Sequence, residues 1–187
     1  MFLLEGADLV GKTTLAKRAV ELLPHWIYGH LTRLPDTWDP VIDYCTIINT
    51  NSGRIVQDRF HISEMAYCKL NNRSQPMFSP SQFDTINNNF VARGGFTLFI
   101  TADDCVIESR WRDGEMFTLP QVLSVNRWYL ENVMKYADHH IHITRNNPEI
   151  SDSELKFVIE RYEERYYDKF NDWIKGVKKT WSFHPTR

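Results

Sequence analysis

The chain has 187 residues, enough for one domain with a substantial core and too few for two ordinary ones. A net charge of −2 and a pI of about 6.4 exclude a global basic field that would advertise nucleic acid or membrane as partner, leaving only local basic patches for that purpose. Cys45, Cys68 and Cys105 are odd in number and form no CxxC pair, and no apolar run approaches ~18 residues. With no signal-peptide pattern at the start, the expectation is a chain with reduced thiols, no membrane partner and a cytoplasmic location.

In chain order, Phe2 to Leu4 reads as a short buried strand and Thr13 to Leu22 as an amphipathic helix. Between them lies Gly6-Ala7-Asp8-Leu9-Val10-Gly11-Lys12-Thr13-Thr14, a complete phosphate-binding loop in the strand-to-helix context that the motif needs. Gly6 and Gly11 permit backbone angles that aim successive N–H groups at an anion, and the helix N-terminus adds partial positive charge. Lys12 is then the cation for the β- and γ-phosphates of ATP, and the Thr13 hydroxyl a ligand for Mg²⁺.

Further strand-like segments follow at Trp26 to Leu31, Arg54 to Gln57, Phe96 to Ile100 and His139 to Thr144. Helix signals alternate with them. Ser79-Pro80-Ser81 opens a run to Arg93 that Gly94-Gly95 stops, and Thr118-Leu119-Pro120-Gln121 opens another that ends near Ala137. Ser151-Asp152-Ser153-Glu154 is a capping box that starts a long aromatic-rich helix to about Lys175. The alternation predicts a single α/β domain over 1–187, with a parallel sheet and helices on both faces. At its end, 175–187 reads as a basic, solvated tail.

Asp58 falls at the C-terminal end of the third strand, the sheet edge that carries the phosphate loop, within reach of the Mg²⁺ shell. The run after it predicts a helix starting at Arg59, on which Arg59, Ser63 and Tyr67 at i, i+4 and i+8 share one face toward an acceptor. Arg110-Trp111-Arg112 sits in a lid over about 103–117 whose cations close on the transferring phosphoryl group. His140 and His142 share one face of the fifth strand. With no third ligand evident, hydrogen bonding rather than metal is the ordinary reading there.

Leu4-Glu5-Gly6-Ala7-Asp8 followed by Gly11-Lys12-Thr13-Thr14 resembles the opening of thymidylate kinases. Asp58-Arg59-Phe60 with Ser63, Ala66 and Tyr67 is similar to that family's Asp-Arg-Tyr, Ser and Ala-Tyr pattern, and Arg33-Leu34-Pro35 to its Arg-Glu-Pro segment. The resemblance implies a P-loop kinase fold with a five-stranded parallel sheet of order 2-3-1-4-5 and an Arg-bearing lid. It also implies that Asp8 meets the acceptor's sugar hydroxyl, that Arg33 and Arg59 bind acceptor phosphate, and that Tyr67 closes the sugar pocket. Arg145 then lies where adenine docks, and a homodimer is common in the family. Because Leu9 stands where some relatives carry a loop Arg, the transition-state cation must come from Arg110 or Arg112.

Only 24 residues separate Arg33 from Asp58, so much of the helix that supplies a stacking Phe and a base-reading Arg is expected to be missing and the base pocket open. Trp38, Tyr44, Tyr67 and Phe78 are the aromatic candidates for stacking a base. A kinase subgroup of large DNA phages resembles the chain in Asp58-Arg59-Phe60-His61-Ile62-Ser63-Glu64 and in this shortened segment. That resemblance implies phosphoryl transfer to 5-hydroxymethyluridine within phage DNA, in the host cytoplasm, whereas the wider family implies free thymidylate or a deoxynucleoside. Either way the implied acceptor is a pyrimidine deoxynucleotide. A GTPase-like switch is the rival from another class, but its Asn-Lys-x-Asp guanine-reading motif is absent.

Overall fold

The structure is a computed structural model that describes residues 1–23, 25–31, 39–51, 54–68, 70 and 78–180. Five strands form one parallel sheet: β1 (Phe2–Glu5), β2 (Ile27–His30), β3 (Ile55–Asp58), β4 (Phe96–Ala102) and β5 (His139–Ile143), in the order β2-β3-β1-β4-β5. This is the 2-3-1-4-5 order that the resemblance to thymidylate kinases implies. All seven residues of β4 and all four of β1 and β3 are buried, as expected for central strands covered on both faces, while β2 is the exposed edge.

Seven α-helices accompany the strands among the described residues: α1 (Lys12–Leu22), α2 (Pro40–Asn51), α3 (His61–Tyr67), α4 (Pro80–Ala92), α5 (Asp104–Arg110), α6 (Leu119–Asn132) and α7 (Asp152–Thr180). The capping signals act where the sequence puts them. Ser79 accepts from the Gln82 N–H while Gln82 accepts from the Ser79 N–H, and the Ser151 hydroxyl accepts from the Glu154 N–H at 3.1 Å. Helix α7 docks on the sheet through Tyr162, whose ring lies 5.4 Å from Phe2 and 5.2 Å from Trp26, contacts worth roughly 0.5–1.5 kcal/mol each beyond burial.

Three expectations need correction. A helix, α2, occupies 40–51 in the segment expected to have lost one. It carries neither Phe nor Arg, and instead it brings Tyr44 into the core at 1% exposure. The helix after β3 begins at His61, not Arg59, because Arg59 adopts φ 65° and its N–H extends the ladder to the Leu4 carbonyl at 3.0 Å. Helix α7 runs to Thr180, past the expected end near Lys175, and residues 181–187 lie outside the described residues.

Candidate active site

Three buried strands end on one edge of the sheet, and the chemistry collects there. The turn after β1 requires Gly6, at φ 151°, since a Cβ would lie 2.1 Å from the Ile100 carbonyl oxygen. Gly11, at φ 95°, caps α1 with no side chain, which leaves the first-turn amides open to an anion. Lys12 is buried at 5% exposure and folds its ammonium back onto the Ala7 carbonyl. Burial pushes its pKa down, opposed by the charges of Asp58 and Glu5.

Asp58 is wholly buried at the end of β3. Its Oδ2 accepts from the Thr13 hydroxyl at 2.6 Å, with the Tyr28 hydroxyl at 3.3 Å and His30 Nδ1 at 3.4 Å. Its Oδ1 has no hydrogen-bond partner among the described residues. An orphaned buried carboxylate oxygen beside a hydroxyl is the oxygen donor set that Mg²⁺ takes, so Thr13 and Asp58 fit the metal.

A cavity of about 990 Å³ extends from this loop along α1 to the segment before α7. Arg110 lines it, donating to the Leu9 carbonyl at 2.8 Å and to the Pro148 carbonyl, so the last residue of α5 is fastened to the phosphate loop itself. Arg112 points elsewhere, donating to the carbonyls of Ser109 and Trp111 at 2.8 and 2.7 Å. Arg145 is exposed in the turn after β5 and is not among the cavity walls, although its N–H donates to Asp103 at 3.3 Å. Arg18, which the sequence reading missed, lines the cavity and bridges the Ile150 carbonyl and Asp152. Its signal was faint, because an Arg one helical turn beyond Thr14 looks like any solvated helix residue.

A second, smaller cavity of about 250 Å³ opens beside α3, walled by the aromatic rings of Tyr44, Phe60, Tyr67 and Phe117 and by Glu64. Arg59 is the one described residue that lines both cavities. Its guanidinium pairs with Asp8 and lies 4.7 Å over the Tyr67 ring, while the Tyr67 hydroxyl donates to the other Asp8 oxygen at 3.1 Å. Burial, outweighing the nearby Arg59, pushes the Tyr67 phenol well up, so it stays a neutral donor. Asp8, Arg59 and Tyr67 thus converge by tertiary folding even though they do not share a helix face. Ser63 reaches the cavity wall, but its hydroxyl is committed to Glu5 and Tyr129. Of the other named residues, Phe78 packs against Tyr44 and Phe83 in the core, and Arg33 and Trp38 lie outside the described residues.

His140 and His142 are satisfied by hydrogen bonds. Both rings lie 2.8 Å from the Thr101 hydroxyl, and His142 Nε2 is 3.0 Å from Asp103. No cluster of three metal-ligating side chains occurs among the described residues. Nor is any described helix long and apolar enough to cross a membrane.

No protein-family model and no curated protein sequence matches the chain. Among solved structures it is similar to the YorR protein of Bacillus subtilis in complex with phosphorylated GDP, at 22% identity and a TM-score of 0.69, over 89% of this chain and 97% of that one. It is also similar to the thymidylate kinase of Candida albicans, at 17% identity and a TM-score of 0.58, over 88% and 92% of the two chains. Sheet order, phosphate loop and these neighbours together define the fold as that of the P-loop kinases.

Proposed function

We propose that the protein is a Mg²⁺-dependent kinase that transfers the γ-phosphoryl group of ATP to a pyrimidine deoxynucleotide. The observation that carries this reading is Arg59, a cation at the junction of a phosphate-loop cavity and an aromatic cavity. The fold is at home with nucleotides, since one neighbour is a thymidylate kinase and another holds phosphorylated GDP. Catalysis on this reading is positioning and charge neutralisation. Lys12 turns from the Ala7 carbonyl to the donor phosphates, Arg59 spans donor and acceptor, and Arg110 meets the charge that develops in transfer. Thr13 and Asp58 would hold Mg²⁺, which would further neutralise the donor phosphates. The Tyr67 ring closes the sugar side of the acceptor cavity, with Asp8 and Arg59 above it. A hydroxyl acceptor must also give up a proton, for which Asp8 and Asp58 are the carboxylates at hand.

Within the acceptor class, 5-hydroxymethyluridine in DNA is the reading favoured by the short segment between Arg33 and Asp58, whose helix α2 carries neither Phe nor Arg, together with the run from Asp58 to Glu64. Free thymidylate is the alternative, and the enclosure supplied by α2 and Tyr44 speaks for it. The deciding experiment offers γ-labelled ATP with thymidylate, deoxynucleosides, and duplex DNA with or without 5-hydroxymethyluracil. Label in modified DNA, falling steeply with added salt as phosphate contacts release counterions, supports the DNA acceptor. Robust thymidine diphosphate formation with no label in DNA overturns it.

A further inference from the structure

Helix α3 has no side-chain cap of its own. Its N-cap residue is Phe60, at φ −154° and ψ −142°, which offers no acceptor to the first-turn amides. The acceptor comes from another strand. Glu5, the last residue of β1, is fully buried, and its Oε1 accepts from the Phe60 N–H at 2.9 Å and from the Ser63 N–H at 3.3 Å. Its Oε2 accepts from the Ser63 hydroxyl and from the Tyr129 hydroxyl of α6 at 2.9 Å. Four donors fill the acceptor capacity of one carboxylate. One residue earlier, the Leu4 carbonyl accepts from the Arg59 N–H. The strand that launches the phosphate loop therefore grips residues 59, 60 and 63 in succession, holding Arg59 at φ 65° between the two cavities.

We propose that Glu5 is a positioning residue that sets Arg59 and α3 in register with the phosphate loop, so that the geometry between donor and acceptor is fixed by a carboxylate in the core. Two observations support this beyond the hydrogen bonds. First, Glu5 lines neither cavity, so it acts only through other residues. Second, a fully buried carboxylate is costly unless each lone pair is used, and here the donors it satisfies belong to α3 and to α6 behind it. Reach, rather than charge, is then the property that matters.

Two variants separate reach from charge. Glu5→Gln keeps the length of the side chain and an oxygen for the Phe60 amide, whereas Glu5→Asp keeps the charge but withdraws it by one methylene. Both are measured for melting temperature, ATP-analogue binding, acceptor KM and kcat, and amide exchange at Phe60 and Ser63. Glu5→Asp is expected to lose roughly 10- to 100-fold in transfer, since a misplacement of about 1 Å costs that much. The loss should fall on acceptor KM and kcat, with ATP-analogue binding within about 2-fold of wild type and exchange at both amides faster by about 10-fold. Glu5→Gln should lose clearly less than Glu5→Asp, because its oxygen still reaches the Phe60 and Ser63 amides while only its nitrogen faces the Ser63 and Tyr129 hydroxyls. The opposite order, equal losses in both variants, or no loss in either would overturn the proposal. The inference rests on the kinase reading only for the transfer readout. If the wild-type protein phosphorylates no acceptor, the kinase reading fails while exchange at Phe60 and Ser63 still decides whether Glu5 holds α3.

Discussion

The phosphate loop and the aromatic cavity on the far side of Arg59 differ in how their geometry is held. The loop is held by the backbone of consecutive residues, with Gly6 and Gly11 in angles that other residues resist and Lys12 and Thr13 in the first turn of α1. The aromatic cavity is held by convergence, with Tyr44 from α2, Tyr67 from α3, His30 from β2 and Phe117 from the turn before α6. A site of the first kind tolerates change around it, because its neighbours in space are its neighbours in sequence. A site of the second kind depends on distant packing.

Breaking the loop should have the largest effect. Lys12→Ala is expected to cost about 3 kcal/mol or more in transition-state stabilisation, read as kcat/KM, with a near-normal melting curve. Near-normal transfer in that variant would remove the phosphate loop from the mechanism.

The packing behind the aromatic cavity should be acid-sensitive through His61. His61 is fully buried against Phe60, Phe83 and Phe90, and burial lowers its pKa from 6.5 to about 4. Below pH 6.5 the unfolded chain takes up a proton that the folded chain refuses, so stability falls as pH drops toward 4, by up to about 3 kcal/mol. His61→Leu should flatten that part of a stability-versus-pH curve. Parallel curves for variant and wild type would place the acid sensitivity elsewhere.

At the junction, Arg59→Lys keeps the charge but loses the planar guanidinium that pairs with Asp8 and lies over the Tyr67 ring, for an expected loss of about 2 kcal/mol in transfer. Wild-type rates would make Arg59 structural. Arg110 and Arg112, at and just after the end of α5, sharpen the contrast further. Arg110→Ala should lower kcat by roughly 10-fold or more, because its guanidinium sits on the Leu9 carbonyl. Arg112→Ala should change it by no more than about 2-fold, its contacts being exposed and local. Equal effects would show that Arg112 swings in during turnover. The smallest effect expected is at Tyr67, where Tyr67→Ala should raise use of a 2′-hydroxyl acceptor relative to its deoxy counterpart. An unchanged ratio rejects the steric role.

The same contrast decides what was legible in the sequence. Gly6 to Thr14, Asp58 and the parallel α/β class could be read directly, because glycine angles, buried strand runs and strand-helix alternation are local signals, whereas the order of the sheet came only through the family resemblance. Arg59, Ser63 and Tyr67 were named by helical spacing, yet α3 starts at His61 and Arg59 arrives through a left-handed backbone turn. Helix α2 was missed because Pro40 to Asn51 is rich in β-branched residues and lacks a clear apolar stripe, so tertiary packing of Tyr44 and Ile48 decides it. Glu5 announced itself only as one acid at the end of an apolar strand. Its four donors come from three residues, Phe60, Ser63 and Tyr129, that lie 55 or more residues away and are invisible to any local pattern.

The central claim is that phosphoryl transfer crosses from the loop to the aromatic cavity at Arg59. The most direct measurement follows the γ-label of ATP into pyrimidine deoxynucleotide acceptors, comparing wild type with Arg59→Lys at matched ATP-analogue occupancy. The account predicts label in the acceptor for wild type and a loss of at least about 10-fold in the variant, with donor binding unchanged. Transfer at equal rates in both proteins, or tight GTP retention with no labelled acceptor in either, would contradict it.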